Sequence, residues 1–263
     1  MYPYDYSVST HRKSGIRVAR AREARRLNRD RKIYRILRRG RLTSEFFHSA
    51  YREPVEPLSV YGGKPETKPG LKLTQFPIRH QANGRPMPHW DDLSAWMKVQ
   101  LAIMAMNNWK VHTFNIHIHP DLERAWVAAG KDPRVMMRDR IRREFDKHVH
   151  PRLDWFFIIE GWSKRTKSET LLHVHGAAAS FEPGDDNKIM DAASRAAGHG
   201  LKGFSKVPRA KHGRPFTHER AGYADYLFKA SRRGDDRLGQ RRLTMSRSMV
   251  GGAREFWEMI TGQ

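Results

Sequence analysis

His173 and His175 are separated by one hydrophobic residue inside the apolar run from Leu171 to Ala179. On a strand, both imidazoles leave the same face while Val174 points the other way. Such a pair forms a two-toothed metal clamp. A carboxylate is close by in sequence: Glu160 follows the apolar run Trp155 to Ile159, and polar residues Ser163 to Glu169 turn the chain back into the histidine strand. So short a connection makes an antiparallel hairpin. A hairpin symmetric about Thr166 and Lys167 sets Glu160 directly across from His173, on the same face, and a slip of one residue sends it to the opposite face. An ionised carboxylate in so apolar a strand is costly unless it is paired or bound to metal. Glu160, His173 and His175 are therefore the expected ligands. A second His-x-His, His117 and His119, competes for the role. It lies on a strand expected over Val111 to His119, where Phe114, Ile116 and Ile118 occupy one face and Asn115, His117 and His119 the other.

The chain has 263 residues and no cysteine, which excludes disulfides, thiolate zinc sites and cysteine nucleophiles. A metal must then be held by His, Asp or Glu, as hard or borderline cations are. Two neutral imidazoles and a carboxylate leave positions open for water and a phosphate oxygen, so the ion can act as a Lewis acid on a phosphodiester. The charge balance points to the same class of substrate. Lys and Arg number 50 against 28 Asp and Glu, a net charge of +22, the footprint of a polyanion binder with nucleic acid as the expected partner. No apolar run approaches the roughly 18 residues of a membrane span, and there is no signal-peptide core or lipidation motif. A soluble, cytoplasmic protein without a membrane partner or small-molecule cofactor is expected.

The elements that must position these groups read as follows. Residues 1–51 form a basic helical arm, with arginines dense from His11 to Arg41 and suited to phosphate contacts. Residues 52–90 form a linker rich in Pro and Gly. Residues 91–232 form the catalytic domain, and 233–263 a basic C-terminal tail with a short helix from Ala253 to Ile260. Within the domain, Asp91 or Asp92 is expected to cap a packed helix through Met104, Pro120 to end the first strand, and Asp132 to His148 to be helical. A further helix runs from Asp185 or Asp186 to Ala197, and another from about His218 to Arg232. On the last, Ala221, Ala224, Leu227 and Phe228 form the apolar arc, Tyr223 leans towards it, and Tyr226 lies on the polar side with Lys229 and Arg233. Tyr226 is thus the better candidate for a reactive, solvent-facing phenol.

In this order, a strand with a polar face, Glu160, His173-Val174-His175 and a helical Tyr226-Leu227-Phe228-Lys229, the chain resembles the HUH endonucleases. The resemblance covers about residues 111 to 232 and is strongest to the rolling-circle replication initiators of plasmids and single-stranded DNA phages. Phe114 to His119 looks like the family's first motif, the His173 pair like the second and Tyr226 to Lys229 like the third. It implies an α+β fold with a ferredoxin-like antiparallel sheet and flanking helices, a divalent Mg or Mn ion, and Tyr226 as a nucleophile that cuts single-stranded DNA. It further implies that Lys229 positions the phosphate or stabilises developing charge. The expected partners are single-stranded DNA or an origin hairpin, with a host helicase and polymerase. The spacing of Tyr223 and Tyr226 by three departs from the four usual in two-tyrosine initiators and leaves a role for Tyr223 open. A single-tyrosine transposase or relaxase shares the site. A non-enzymatic nucleic-acid-binding protein needs only the charge and the aromatic residues.

Overall fold

A computed structural model describes residues 7–39, 77–81, 83–106, 111–163, 168–179, 184–201, 210–212, 220–228, 235, 237–238 and 241–263. Most of the expected linker lies outside these residues, as do Thr166, Lys167, Lys229 and Arg233. Strands β1 (Val111–His117), β2 (Trp155–Ser163), β3 (Ser168–Ala179), β4 (Ala210–His212) and β5 (Leu243–Met245) form one five-stranded sheet in the order β4-β1-β3-β2-β5. Every pairing is antiparallel. The expected α+β class with an antiparallel sheet and flanking helices is observed.

Alternation along the strands assigns each side chain to a layer. Phe114 and Ile116 of β1, Phe157 and Ile159 of β2, and Val174 and Ala178 of β3 are buried on one face. That face packs against α3 (Pro120–Ala128), α4 (Pro133–His148) and α5 (Asp185–Ala196), which contribute Trp126, Met137, Ile141, Phe145, Ile189 and Ala193. The other face carries Phe156, Ile158 and Ala177 beneath α2 (Ala95–Ala105), α6 (Arg220–Leu227) and α7 (Arg247–Thr261). Glu160, His173 and His175 continue this second face beyond its apolar part.

Three expectations are corrected. Neither Asp91 nor Asp92 caps α2: both lie in a short 3₁₀ turn, and Ser94 is the cap, its hydroxyl accepting from Met97 N at 3.3 Å. Pro120 does not merely end a strand. Its fixed φ suits the first turn of α3, which His119 caps by accepting from the Asp121 amide. Finally, the stretch read as a basic tail supplies β5 and all of α7, whose Met249, Ala253, Phe256, Trp257 and Ile260 are buried in the core.

The basic arm is likewise part of the body. Helix α1 (Ser7–Arg39) buries Leu27, Ile33, Tyr34 and Leu37 in the same core. Its Asp30, fully buried, accepts from Ser94 N at 2.6 Å and so meets an orphan amide at the start of α2. Among the described residues, no helix is long and apolar enough to cross a membrane.

Candidate metal centre

The β2–β3 register brings the three expected ligands together. Trp155 to Glu160 pair in step with Ala178 to His173, and Glu160 stands opposite His173. Beyond them the pattern shifts, because Trp162 pairs with Glu169 and Ser163 with Ser168. Gly161 is thus faced by Thr170, Leu171 and Leu172. Two extra residues on β3, an even number, restore the original face, so the hairpin closes off the expected centre without rotating Glu160 away.

Glu160 is 1% exposed, and its Oε2 lies 3.9 Å from His173 Nε2 and 3.8 Å from His175 Nε2. One potential ligand atom from each of the three residues falls within 4.8 Å of the others. Those separations exceed a hydrogen bond and suit a cation seated between the groups. The far side of each ring supports this. His173 Nδ1 donates to the Leu171 carbonyl at 3.2 Å, and His175 Nδ1 donates to the Asn115 side-chain oxygen. With Nδ1 carrying the proton, each Nε2 keeps its lone pair and aims it at the carboxylate, as metal-bound histidines require. The buried Glu/His/His group can hold a metal ion.

The competing histidines part company. His119 is buried and engaged as the cap of α3, its Nδ1 accepting from Asp121 N at 3.0 Å. His117 pairs with His173 across β1 and β3 and stacks on its ring at 5.8 Å, at the exposed margin of the site. Neither belongs to the three-residue ligand group.

The tyrosines separate as well. Tyr226 is 46% exposed, and its ring lies 5.5 Å from that of His175. Tyr223 is partly buried, packs on Phe156 and donates its hydroxyl to the Gly176 carbonyl at 3.0 Å. Burial pushes the Tyr223 phenol well above its ordinary range, and neighbouring Tyr226 adds to the shift. Gly176 leaves no room for a side chain: a Cβ there would overlap the Phe114 ring and the Phe156 carbonyl. The close approach of these strands therefore depends on that glycine.

Composition and spacing did not single out the groups that seat α6. Asp225, beside Tyr226, accepts from Arg31 of α1 at 2.6 Å and from Trp96 Nε1 of α2 at 3.1 Å. The Arg31 guanidinium also lies over the Trp96 ring at 5.6 Å. No local signal marks this junction, since its members are 194 and 129 residues apart in sequence. Asn115 is different: its place on the polar face of β1 already turned it towards the site.

No family model, curated protein or solved structure matches the chain.

Proposed function

We propose that this protein is a metal-dependent enzyme of the HUH endonuclease kind. It nicks and rejoins single-stranded DNA through Tyr226 and initiates rolling-circle replication. The observation that carries the reading is the exposed Tyr226 ring set 5.5 Å from His175, at the edge of the Glu160, His173 and His175 group. The strand order β4-β1-β3-β2, with α3 and α4 between β1 and β2 and α5 between β3 and β4, supports it as the ferredoxin-like arrangement expected of such a core, with one extra helix in the first crossover.

The donor set fits Mg or Mn with open positions, and the bound ion would supply Lewis-acid polarisation of the scissile phosphate. The residues do the rest. Tyr226 Oη attacks phosphorus, its proton passing to solvent, while the P–O3′ bond breaks and the departing oxygen takes up a proton. The products are a 5′-phosphotyrosine and a free 3′-hydroxyl that a polymerase can extend. Because the phosphodiester energy is kept in the tyrosyl ester, a later 3′-hydroxyl can reverse the step and rejoin the strand. His117, exposed beside His173, borders the entry for the phosphate. The cations of α1, anchored next to α6 through Arg31 and Asp225, supply the track for the rest of the strand. Lys229 keeps its proposed part in positioning the phosphate, although it lies outside the described residues.

The bound hydroxyl of Tyr223 favours a single nucleophile. That trait suits a single-tyrosine transposase or relaxase as well as a one-tyrosine initiator, and cleavage preference for an origin hairpin over a transposon end separates them. The central test is adduct formation on a labelled single-stranded oligonucleotide with Mn. Tyr226→Phe is expected to bind the strand and form no adduct. An adduct mapped to any other residue overturns the assignment, and binding without cleavage by the unaltered protein returns it to the non-enzymatic class.

A further inference from the structure

On the sheet face opposite the metal ligands, Arg237 directs both terminal nitrogens of its guanidinium to the irregular stretch of the β2–β3 hairpin. Nη1 donates to the Thr170 carbonyl at 2.8 Å and Nη2 to the Gly161 carbonyl at 3.0 Å. The remaining contacts go to carboxylates: Nη1 to Glu123 at 2.7 Å, Nη2 to Asp235 at 2.7 Å and Nε to Asp235 at 2.9 Å. Glu123 and Asp235 are both 6% exposed. Glu123 reaches the hairpin itself too, its second oxygen accepting from Leu172 N at 2.8 Å.

These contacts fall on particular atoms. Gly161 directly follows Glu160. Thr170 and Leu172 flank Leu171, whose carbonyl receives the proton of His173 Nδ1. Gripping Thr170 O and Leu172 N therefore aims the Leu171 carbonyl, and that carbonyl aims His173. On the β1 side the Leu172 carbonyl still accepts from Ile118 N at 3.1 Å, but the two extra residues interrupt the ladder on the β2 side. The arginine and its carboxylates bridge that interruption with charge-assisted hydrogen bonds, which are short and directional. A side chain at position 161 would push the clamp aside, because a Cβ there would overlap Asp235 Oδ2 and Arg237 Nη2.

We propose that Arg237, held by Glu123 and Asp235, is a positioning residue for the metal centre: it fixes the backbone at Gly161 and Thr170 so that Glu160 and His173 converge on one ion. This rests on reading Glu160, His173 and His175 as a metal site. A lysine at 237 keeps the positive charge between the two carboxylates and lacks the planar fork that spans two carbonyls.

The test is titration of the metal-free, full-length protein with Mn, followed by the loss of the free-ion paramagnetic resonance signal, at a temperature where circular dichroism shows each variant folded. Arg237→Lys is expected to weaken Mn binding by 10- to 100-fold, as loss of support behind a ligand does elsewhere. Arg140→Lys is the control. Arg140 also clamps backbone, the Ala196 carbonyl at 2.6 Å, but at the end of α5, and its loss is expected to leave Mn affinity unchanged. If Arg237→Lys does not fold, Glu123→Gln decides by the same measure: it keeps its size and its bond to Leu172 N while weakening the hold on Arg237. Unchanged Mn affinity in a folded clamp variant overturns the positioning role alone. Absence of Mn binding by the unaltered chain overturns the metal reading along with it.

Discussion

Asn115 and His175 face each other across β1 and β3, and the hydrogen bond between the amide oxygen and Nδ1 leaves the imidazole Nε2 pointing at Glu160. Asn115 therefore sets both the tautomer and the ring angle of a ligand it never touches through metal. Asn115→Ala is expected to lower Mn affinity by about 10- to 100-fold. Asn115→Asp, which retains an acceptor at the same reach, is expected to recover most of it. Isothermal titration of the three proteins with Mn checks this, and equal affinities would mean that packing alone orients His175.

Metal should also be visible as stability. An ion that binds only the folded state adds about 2.7 kcal/mol when present at 100 times its dissociation constant. The unaltered protein is expected to show that gain in urea unfolding with Mn. Glu160→Gln, nearly identical in shape and without the charge, is expected to show almost none. A comparable gain in both proteins would move the binding site elsewhere on the surface.

The hairpin that carries the ligands was legible because strand alternation has a period of two, so one correct pairing of Glu160 with His173 assigns every neighbour to a face. Even the two-residue shift at Gly161 left that reading intact, since it preserves parity. Tyr226 was legible for a similar reason: Ala224 and Leu227 mark the buried side of α6, and Tyr226 lies off it. The clamp was not legible. Arg237 and Glu123 are 114 residues apart, and charged side chains give no periodic signal when only the tertiary fold brings them together. The C-terminal stretch was obscured by its basic composition, by a strand of only three residues and by Gly251 and Gly252 within α7. Glycines lower helix propensity, but the burial of Phe256, Trp257 and Ile260 overrides it.

The docking of α1 changes how its interaction with phosphates should be tested. Deleting the helix removes Leu27, Ile33 and Leu37 from the core and uncovers the start of α2, so weaker DNA binding would only report damaged structure. Replacing the exposed Arg22, Arg25, Lys32 and Arg35 by Gln spares the buried side of the helix. Each phosphate deprived of its cation is expected to flatten the slope of log affinity against log salt by about 0.7 on single strands. Fluorescence anisotropy over a salt series reads the slope. An unchanged slope would make α1 a structural helix with a solvated face.

The last expectation concerns Tyr223 and alkaline pH. Its phenol is raised in the folded protein, first by burial and then by Tyr226, whereas in the unfolded chain it titrates at about 10. A group whose folded value is raised contributes stability that is fully present below the unfolded value. Above about pH 10 the unfolded chain releases a proton that the folded chain retains, so this contribution is lost at roughly 1.4 kcal/mol per pH unit until the folded value is reached. Tyr223→Phe removes the titration together with the bond to the Gly176 carbonyl. At pH 8 the variant is expected to be less stable by about 1 kcal/mol, the usual worth of such a bond. As pH rises past 10 the unaltered protein alone carries the penalty, so the gap is expected to narrow and then reverse. Urea unfolding of both proteins at pH 8, 9.5 and 11 measures it, and taking the difference between them cancels the titration of every shared lysine and tyrosine. A gap that stays constant with pH would mean that Tyr223 ionises as freely when folded as when unfolded. Because the hydroxyl is engaged by Gly176, the same variant is expected to retain the covalent DNA adduct at Tyr226.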